Sequence, residues 1–261
     1  RYLFPLYNDP DITAAGRKSP VLILDVQKKG IIAENSVIMP VYNSASTLLK
    51  TLPTLFDKTV GAWEFVVILD ACSDQSFDVV IKMVMLYFEE SDCLRVRVID
   101  QPSAIWETSS DNIGTRISTP KKVYTLVQAD TILTQRGWNI EMMKIFQRKD
   151  IFAVSGRCGH SFDGQDKVGR CSTDVGQPLK DGVKHIFVET ETVNRGPLML
   201  HAKRTQELGF LDEQSFFLGG DDHDLMKRSK LKGYVVGYLP VGFYAPLDLS
   251  PMRNKELVKH I

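Results

Sequence analysis

Apolar residues fall in short runs separated by turn-forming residues, and the runs alternate between two spacings. Residues 36–39, 64–69, 94–99, 122–127 and 151–155 read as strands, and 64–69 is a continuous apolar run of the kind buried on both faces of a parallel sheet. Between them the apolar positions take helical spacing. Leu48, Leu49, Leu52 and Leu55 share one face of a helix expected over 44–56, with Pro53 bending or ending it. Val79, Val80, Met83, Val84 and Tyr87 do the same over 76–88, and Trp138, Met142, Ile145 and Phe146 over 137–148. A further helix is expected over 108–118. The β-α-β-α-β order through residue 155 predicts an α/β fold with a mainly parallel, doubly wound central sheet flanked by helices.

The two ends of this pattern differ from its centre. Residues 1–35 mix Pro5, Pro10, Gly16, Pro20 and Gly30 with short apolar pieces, an irregular lead-in with a short strand at 21–26. Residues 156–185 lose apolar periodicity and gain Gly, Asp and Lys, which predicts a long functional loop, mobile without ligand. Beyond it a strand is expected at 186–190 and helices at 202–208 and 221–232, the last closed by Gly233. Nothing repeats, and 36–261 reads as one domain.

Composition narrows the function by exclusion. Lys plus Arg and Asp plus Glu are both 32 in 261 residues, so no net field favours nucleic acid or an acidic membrane. The longest apolar runs, 65–69 and 79–87, are too short to span a bilayer. Cys72, Cys93, Cys158 and Cys171 form no CxxC pair, which argues against structural zinc. Cys158 and Cys171 would pair only in a secretory compartment, and free thiols are expected. The chain starts at Arg1 rather than Met. The expectation is therefore a soluble domain, in the cytoplasm by preference, excised from a larger or membrane-associated protein.

Candidate chemistry collects where strands end. VIMPVYN at 37–43 places Pro40, Val41, Tyr42 and Asn43 at the carboxyl edge of the sheet, where open α/β sheets bind ligands. Tyr42 suits a flat base, although turn chemistry alone also explains it. Asp70 ends the next strand in ILDACSDQS, an acceptor for a base N–H or a ribose hydroxyl, while Asp74 reads as a helix cap. Asp130 closes VQAD after Gln128 and Ala129, and one carboxylate plus substrate phosphates is a common way to hold a hard divalent cation. Asp221, Asp222 and Asp224 open a helix after Gly219-Gly220, more acid than capping requires and well placed for a general base. His160 and His223 could serve as ligands or acid–base groups, but single histidines without partner spacing are more often surface or core residues. A metal-held phosphate and a base together point to an enzyme using a nucleotide-activated donor.

These segments resemble the family 2 glycosyltransferases of the GT-A fold. VIMPVYN resembles that family's opening strand and turn, and ILDACSDQS its acidic element, with Ala71 in place of the second acid. SSDNIGTR at 109–116 resembles the Asn-containing helix, and VQAD stands where the family has DxD or DD. FLDEQSFFLGGDDHDLMKRSKLKGY resembles the late "GFDE…ED-x-DL-x-x-R…GY" block, the most specific of the set. The matches span about 36–240 in the family's order.

The resemblance implies a nucleotide-sugar donor, UDP-linked by preference, a divalent Mn²⁺ or Mg²⁺, and a glycan or other hydroxyl acceptor. It divides the domain into a nucleotide-binding half, 36–130, and an acceptor half, 131–261. By position Pro40, Val41, Tyr42, Asn43 and Asp70 would hold the base. Asn112, Arg116, Gln128, Ala129 and Arg195 would line the donor site, and Asp130 would bind the metal. Asp222, with Asp221 beside it, would be the base of an inverting transfer. Gln128-Ala129 leaves one acid in the DxD element, and Asp248 stands in a region where the family often has a metal-binding histidine. Those departures keep a catalytically degenerate nucleotide-sugar-binding domain open as an alternative, beside a nucleotidyltransferase.

Overall fold

The computed structural model describes residues 19–28, 30 and 32–246. Its frame is a nine-stranded sheet built largely from the runs that the apolar pattern marks. β1 (Val21–Gln27), β2 (Asn35–Val41), β3 (Trp63–Asp70), β4 (Cys93–Gln101) and β5 (Val123–Leu126) come from the first half of the chain. β7 (Ile151–Ser155), β10 (Val188–Thr190), β12 (Leu198–His201) and β13 (Val235–Tyr238) come from the second. The order across the sheet is β1-β4-β3-β2-β5-β12-β7-β13-β10. β4, β3, β2, β5, β7 and β13 run one way, and β1, β12 and β10 run against them. All eight residues of β3 are buried, as its unbroken apolar run requires.

Helices cover both faces. α1 (Ala45–Lys58), α2 (Ser76–Tyr87) and α4 (Trp138–Ile145) lie on one side, α3 (Trp106–Ile117), α5 (Ala202–Leu208) and α6 (Asp221–Leu231) on the other. Strand alternation sends Val37, Met39 and Val41 of β2 into the first core, with Leu48, Leu52 and Met83, and Ile38 into the second, with Ile113 and Leu225. α3 approaches the sheet so closely that a Cβ on Gly114 would stand 2.4 Å from Ile38 Cγ2 and 2.9 Å from Ile68 Cδ1.

Three expectations change. Pro53 neither ends nor breaks α1, which continues to Lys58. Its missing N–H would have bonded the Leu49 carbonyl, and Leu49 is on the exposed side. Next, β12 and β13 are strands where none was expected. Both are four residues long, and β12 follows Gly196-Pro197, so neither shows a readable period. Finally, 156–185 is not one structureless loop. It carries β8 (Cys158–His160), which pairs with both β9 (Val168–Gly169) and β11 (Thr192–Val193), and a 3₁₀ turn at Thr173–Gly176. That turn is pinned by the buried Val175, whose carbonyl accepts the Ala245 N–H at 2.8 Å. β6 (Ile132–Leu133) and β14 (Phe243–Tyr244) form a separate pair.

All four cysteines are free thiols. Burial pushes the Cys72 thiol up to about 11 and those of Cys93 and Cys158 higher, so these three are not poised as nucleophiles. Among the described residues, no helix is long and apolar enough to cross a membrane.

Candidate active site

A cavity of about 450 Å³ opens at the carboxyl edge of the sheet. Pro40, Val41 and Tyr42 at the end of β2 form one wall, with Ser44 and Thr47 from the turn into α1. Asp70 from the end of β3 and Gln128, Ala129 and Asp130 after β5 form the base. The start of α3 adds Trp106 and Glu107, and Leu218 closes the far side. The expected residues Pro40, Val41, Tyr42, Asp70, Gln128, Ala129 and Asp130 are thus brought together around one space.

Asp70 has a structural task inside that space. Its two carboxylate oxygens accept the main-chain N–H groups of Ile105, at 2.9 Å, and Trp106, at 2.8 Å. It thereby caps α3 from a different element, since the residue before that helix supplies no side-chain cap. Trp106 lies at φ 70°, the left-handed region that a bulky residue rarely adopts. The helix thus starts two residues before the expected 108, because no local side-chain cap marks Trp106 and Glu107 as its first turn. Asp74, expected as a cap, accepts the N–H groups of Ser76 at 2.9 Å and Ala45 at 3.0 Å, tying the starts of α1 and α2 together.

Behind Glu107 lies a buried acid cluster around one cation. The Arg195 guanidinium, 6% exposed, meets Asp111 at 2.9 Å, Glu107 at 3.4 Å, and Asp221 in a two-pronged contact. Burial works against the Arg195 charge, but Glu107, Asp111, Asp221 and Asp222 outweigh it and hold the guanidinium firmly protonated. Asp111 goes the other way: complete burial pushes its carboxyl well above the usual range, with neighbouring acids adding to the push and Arg195 opposing it.

The first turn of α6 divides its three carboxylates. Gly219 at φ 82° and Gly220 at φ 85° make a left-handed approach that L side chains resist, and the helix begins at Asp221. Asp221 is fully buried, bonded to Arg195 and to Thr108 Oγ1 at 2.9 Å. Asp224 pairs with Arg228 one turn on, at 2.8 Å. Asp222 instead accepts main-chain N–H groups, from His223 at 2.8 Å and from Arg195 at 3.3 Å.

Other expected residues stand away from the cavity wall. The Asn43 amide oxygen accepts N–H groups of Ser73 and Asp74, at 2.8 and 3.2 Å, and holds two turns together. Asn112 brackets Leu211 through its main-chain N–H and carbonyl, at 3.1 and 2.9 Å. Arg116 pairs with Glu213 at 2.9 Å and covers the Phe210 ring. Asn112 and Arg116 thus fasten α3 to the segment that leads into α6. Arg195 and Asp221 lie behind Glu107, Asp222 accepts the Arg195 main-chain N–H, and none of the three is among the lining residues. Asp248 lies outside the described residues.

The sequence profile of the glycosyl transferase family 2 matches residues 36–201, well over half of the chain. The chain belongs to glycosyl transferase family 2. No curated protein matches it in sequence. Solved structures that resemble it include the mannosyltransferase PcManGT from Pyrobaculum calidifontis with GDP-Man and Mn²⁺, at 14% identity and TM-score 0.62 over 83% of this chain and 58% of that one. GalNAc-T7 with UDP, GalNAc and Mn²⁺ gives 13% and 0.62 over 82% and 44%. S. aureus TarS 1-349 in complex with UDP-GlcNAc gives 14% and 0.55 over 81% and 58%. At such identities these likenesses establish the GT-A fold, and this family 2 chain spans about half the length of the proteins it resembles.

The donor set bears on whether a divalent cation fits. Asp70, Glu107 and Asp130 line the cavity, and among the described residues no Lys, Arg or His does. A diphosphate entering such a space needs a cation to offset its charge. No three His, Cys, Asp or Glu side chains among the described residues gather into a cage. Hard oxygen donors without a cage suit an ion shared with substrate phosphates.

Proposed function

We propose that this family 2 domain is an inverting glycosyltransferase, taking a sugar from a nucleotide-sugar donor, UDP-linked by preference, to an acceptor hydroxyl. The cavity suits the donor: Tyr42 and Trp106 supply aromatic walls for a base, and the acids at its floor suit a diphosphate carrying a cation. Three structures of similar fold hold GDP-Man, UDP with GalNAc, or UDP-GlcNAc, two of them UDP compounds. Asp130, with Glu107 on the same cavity, would hold a Mn²⁺ or Mg²⁺ ion. When bound, that ion offsets charge on the departing diphosphate.

The protein's own contribution is the base. Asp222 takes the proton of the acceptor hydroxyl as its oxygen attacks the anomeric carbon, on the face opposite the departing nucleoside diphosphate. The sugar–phosphate bond breaks as the new glycosidic bond forms, and the configuration inverts. One observation carries this reading: of the three acids opening α6, Asp221 and Asp224 are committed to arginines, and Asp222 is held by main-chain N–H groups instead.

Asp222→Asn tests it. Donor binding is read from thermal shift with UDP- and GDP-sugars plus Mn²⁺, and turnover from nucleoside diphosphate release, with water standing in for the acceptor. The variant is expected to bind donor as the parent does and to lose turnover by at least about 100-fold. Equal turnover in parent and variant rejects Asp222 as the base. Donor binding without turnover in the parent favours a nucleotide-sugar-binding module, the reading that Gln128 and Ala129 in the DxD position support.

A further inference from the structure

Two histidines far apart in sequence meet beside Asp222. The rings of His160, in β8, and His223, in α6, stand edge to face with centroids 4.9 Å apart. Asn194, just after β11, lies between them, its amide Oδ1 placed 3.0 Å from His160 Nε2 and its Nδ2 3.4 Å from His223 Nε2. The Cys158 thiol donates to the same Oδ1 at 3.2 Å. His223 Nε2 is 3.9 Å from Asp222 Oδ1, which also accepts the His223 main-chain N–H.

Hydrogen-bond roles around this amide are interdependent. His160 Nδ1 is 2.7 Å from the Ser161 carbonyl oxygen, which can only accept, so Nδ1 carries a hydrogen. In the neutral ring Nε2 then holds a lone pair and needs a donor. Asn194 offers one only through its NH₂ group. That requires the amide to sit end for end from this placement: the NH₂ towards His160 Nε2 and Cys158 Sγ, a weak acceptor, and Oδ1 towards His223, whose Nε2 then carries the hydrogen. The two ends of an amide have the same shape, so the network decides which way it faces.

We propose that Asn194 is a positioning residue which, anchored on His160, selects the Nε2–H form of His223 and so keeps an N–H, rather than a lone pair, at the edge of the Asp222 carboxylate. This deepens the reading of Asp222 as the base and rests on it. A lone pair at 3.9 Å would repel the carboxylate, whereas an N–H dipole favours its charge and orientation.

Two-bond ¹H–¹⁵N spectra of histidine-labelled protein test the tautomers directly, with His160→Ala and His223→Ala assigning the signals. The expected parent spectrum shows His160 as Nδ1–H and His223 as Nε2–H. In Asn194→Ala, His223 is expected to lose its fixed form, and nucleoside diphosphate release to fall roughly 10-fold with donor KM unchanged. A parent His223 in the Nδ1–H form overturns the proposal, as does Asn194→Ala with unchanged turnover. The parent spectrum decides the tautomer even if a variant fails to fold. Full turnover in Asp222→Asn would reject the base assignment while leaving the tautomer result standing, so the two failures are distinguishable.

Discussion

Asp70 holds Trp106 in its left-handed conformation by accepting that residue's N–H at 2.8 Å while its other oxygen takes the N–H of Ile105. Left-handed backbone at such a residue costs on the order of 1–3 kcal/mol. Two hydrogen bonds to a charged acceptor contribute about 1.5–3 kcal/mol each and outweigh it. Asp70→Ala is therefore expected to lower stability by about 2 kcal/mol and to weaken nucleotide-sugar binding, because the Trp106 ring leaves the cavity wall. Urea unfolding and thermal shift with donor would show both effects, and unchanged donor binding would count against a donor-site role for Trp106.

Asp130 lines a cavity where acids outnumber bases. Asp130→Asn is expected to abolish the extra thermal stabilisation that Mn²⁺ gives in the presence of a nucleotide sugar, and to leave the ligand-free melting temperature nearly unchanged. Titration with donor, with and without the ion, reads this by mass action. Full retention of the metal effect in the variant would remove Asp130 from the metal site.

Gly114 sets how closely α3 approaches the sheet. Replacing glycine by alanine in a helix ordinarily gains about 1 kcal/mol. Here the added methyl meets Ile38 Cγ2 at 2.4 Å and Ile68 Cδ1 at 2.9 Å, and such overpacking costs about 1–3 kcal/mol. The collision is with fully buried side chains that have little room to yield, so Gly114→Ala is expected to destabilise the fold in denaturant titration.

Asp111 gives the chain a pH-dependent stability of unusual sign for an aspartate. Burial raises its folded pKa, whereas in the unfolded chain it ionises at about 3.9. The folded state therefore holds more protons above that pH, and the contribution of Asp111, complete below it, is lost as pH rises towards the folded value. Asp111→Asn cannot titrate. From about pH 4 towards neutrality, the variant should gain stability relative to the parent. A difference that does not vary with pH would place Asp111 as a permanent carboxylate opposite Arg195.

The chain's first half was readable because its strands are long apolar runs and its helices carry clear stripes: β3, α1 and α2 lie where Phe65–Leu69, Leu48–Leu55 and Val79–Tyr87 put them. The Pro40–Tyr42 turn, Asp70 and Asp130 could be placed because strand ends map to one sheet edge. Trp106 and Glu107 could not, since the cap that starts their helix is Asp70, distant in sequence. Asn112, Arg116 and Arg195 have the residue types of a ligand site, yet their partners are Leu211, Glu213 and buried acids, which only the folded chain brings to them. His160 and His223 gave no spacing signal because Asn194, not sequence proximity, joins them.

β12 runs against both of its neighbours, its first residue Leu198 lying beside Leu126 at the end of β5 and Ser155 at the end of β7. A parallel strand gives the ligand edge its exit alone, whereas a reversed one gives that edge its entrance. Inserting one reversed strand therefore adds a second source of side chains, Asn194 and Arg195, without adding a crossover helix. The opposite edge, with connections such as 89–92 and 146–150, is left free to lengthen or vary while the cavity edge keeps its shape.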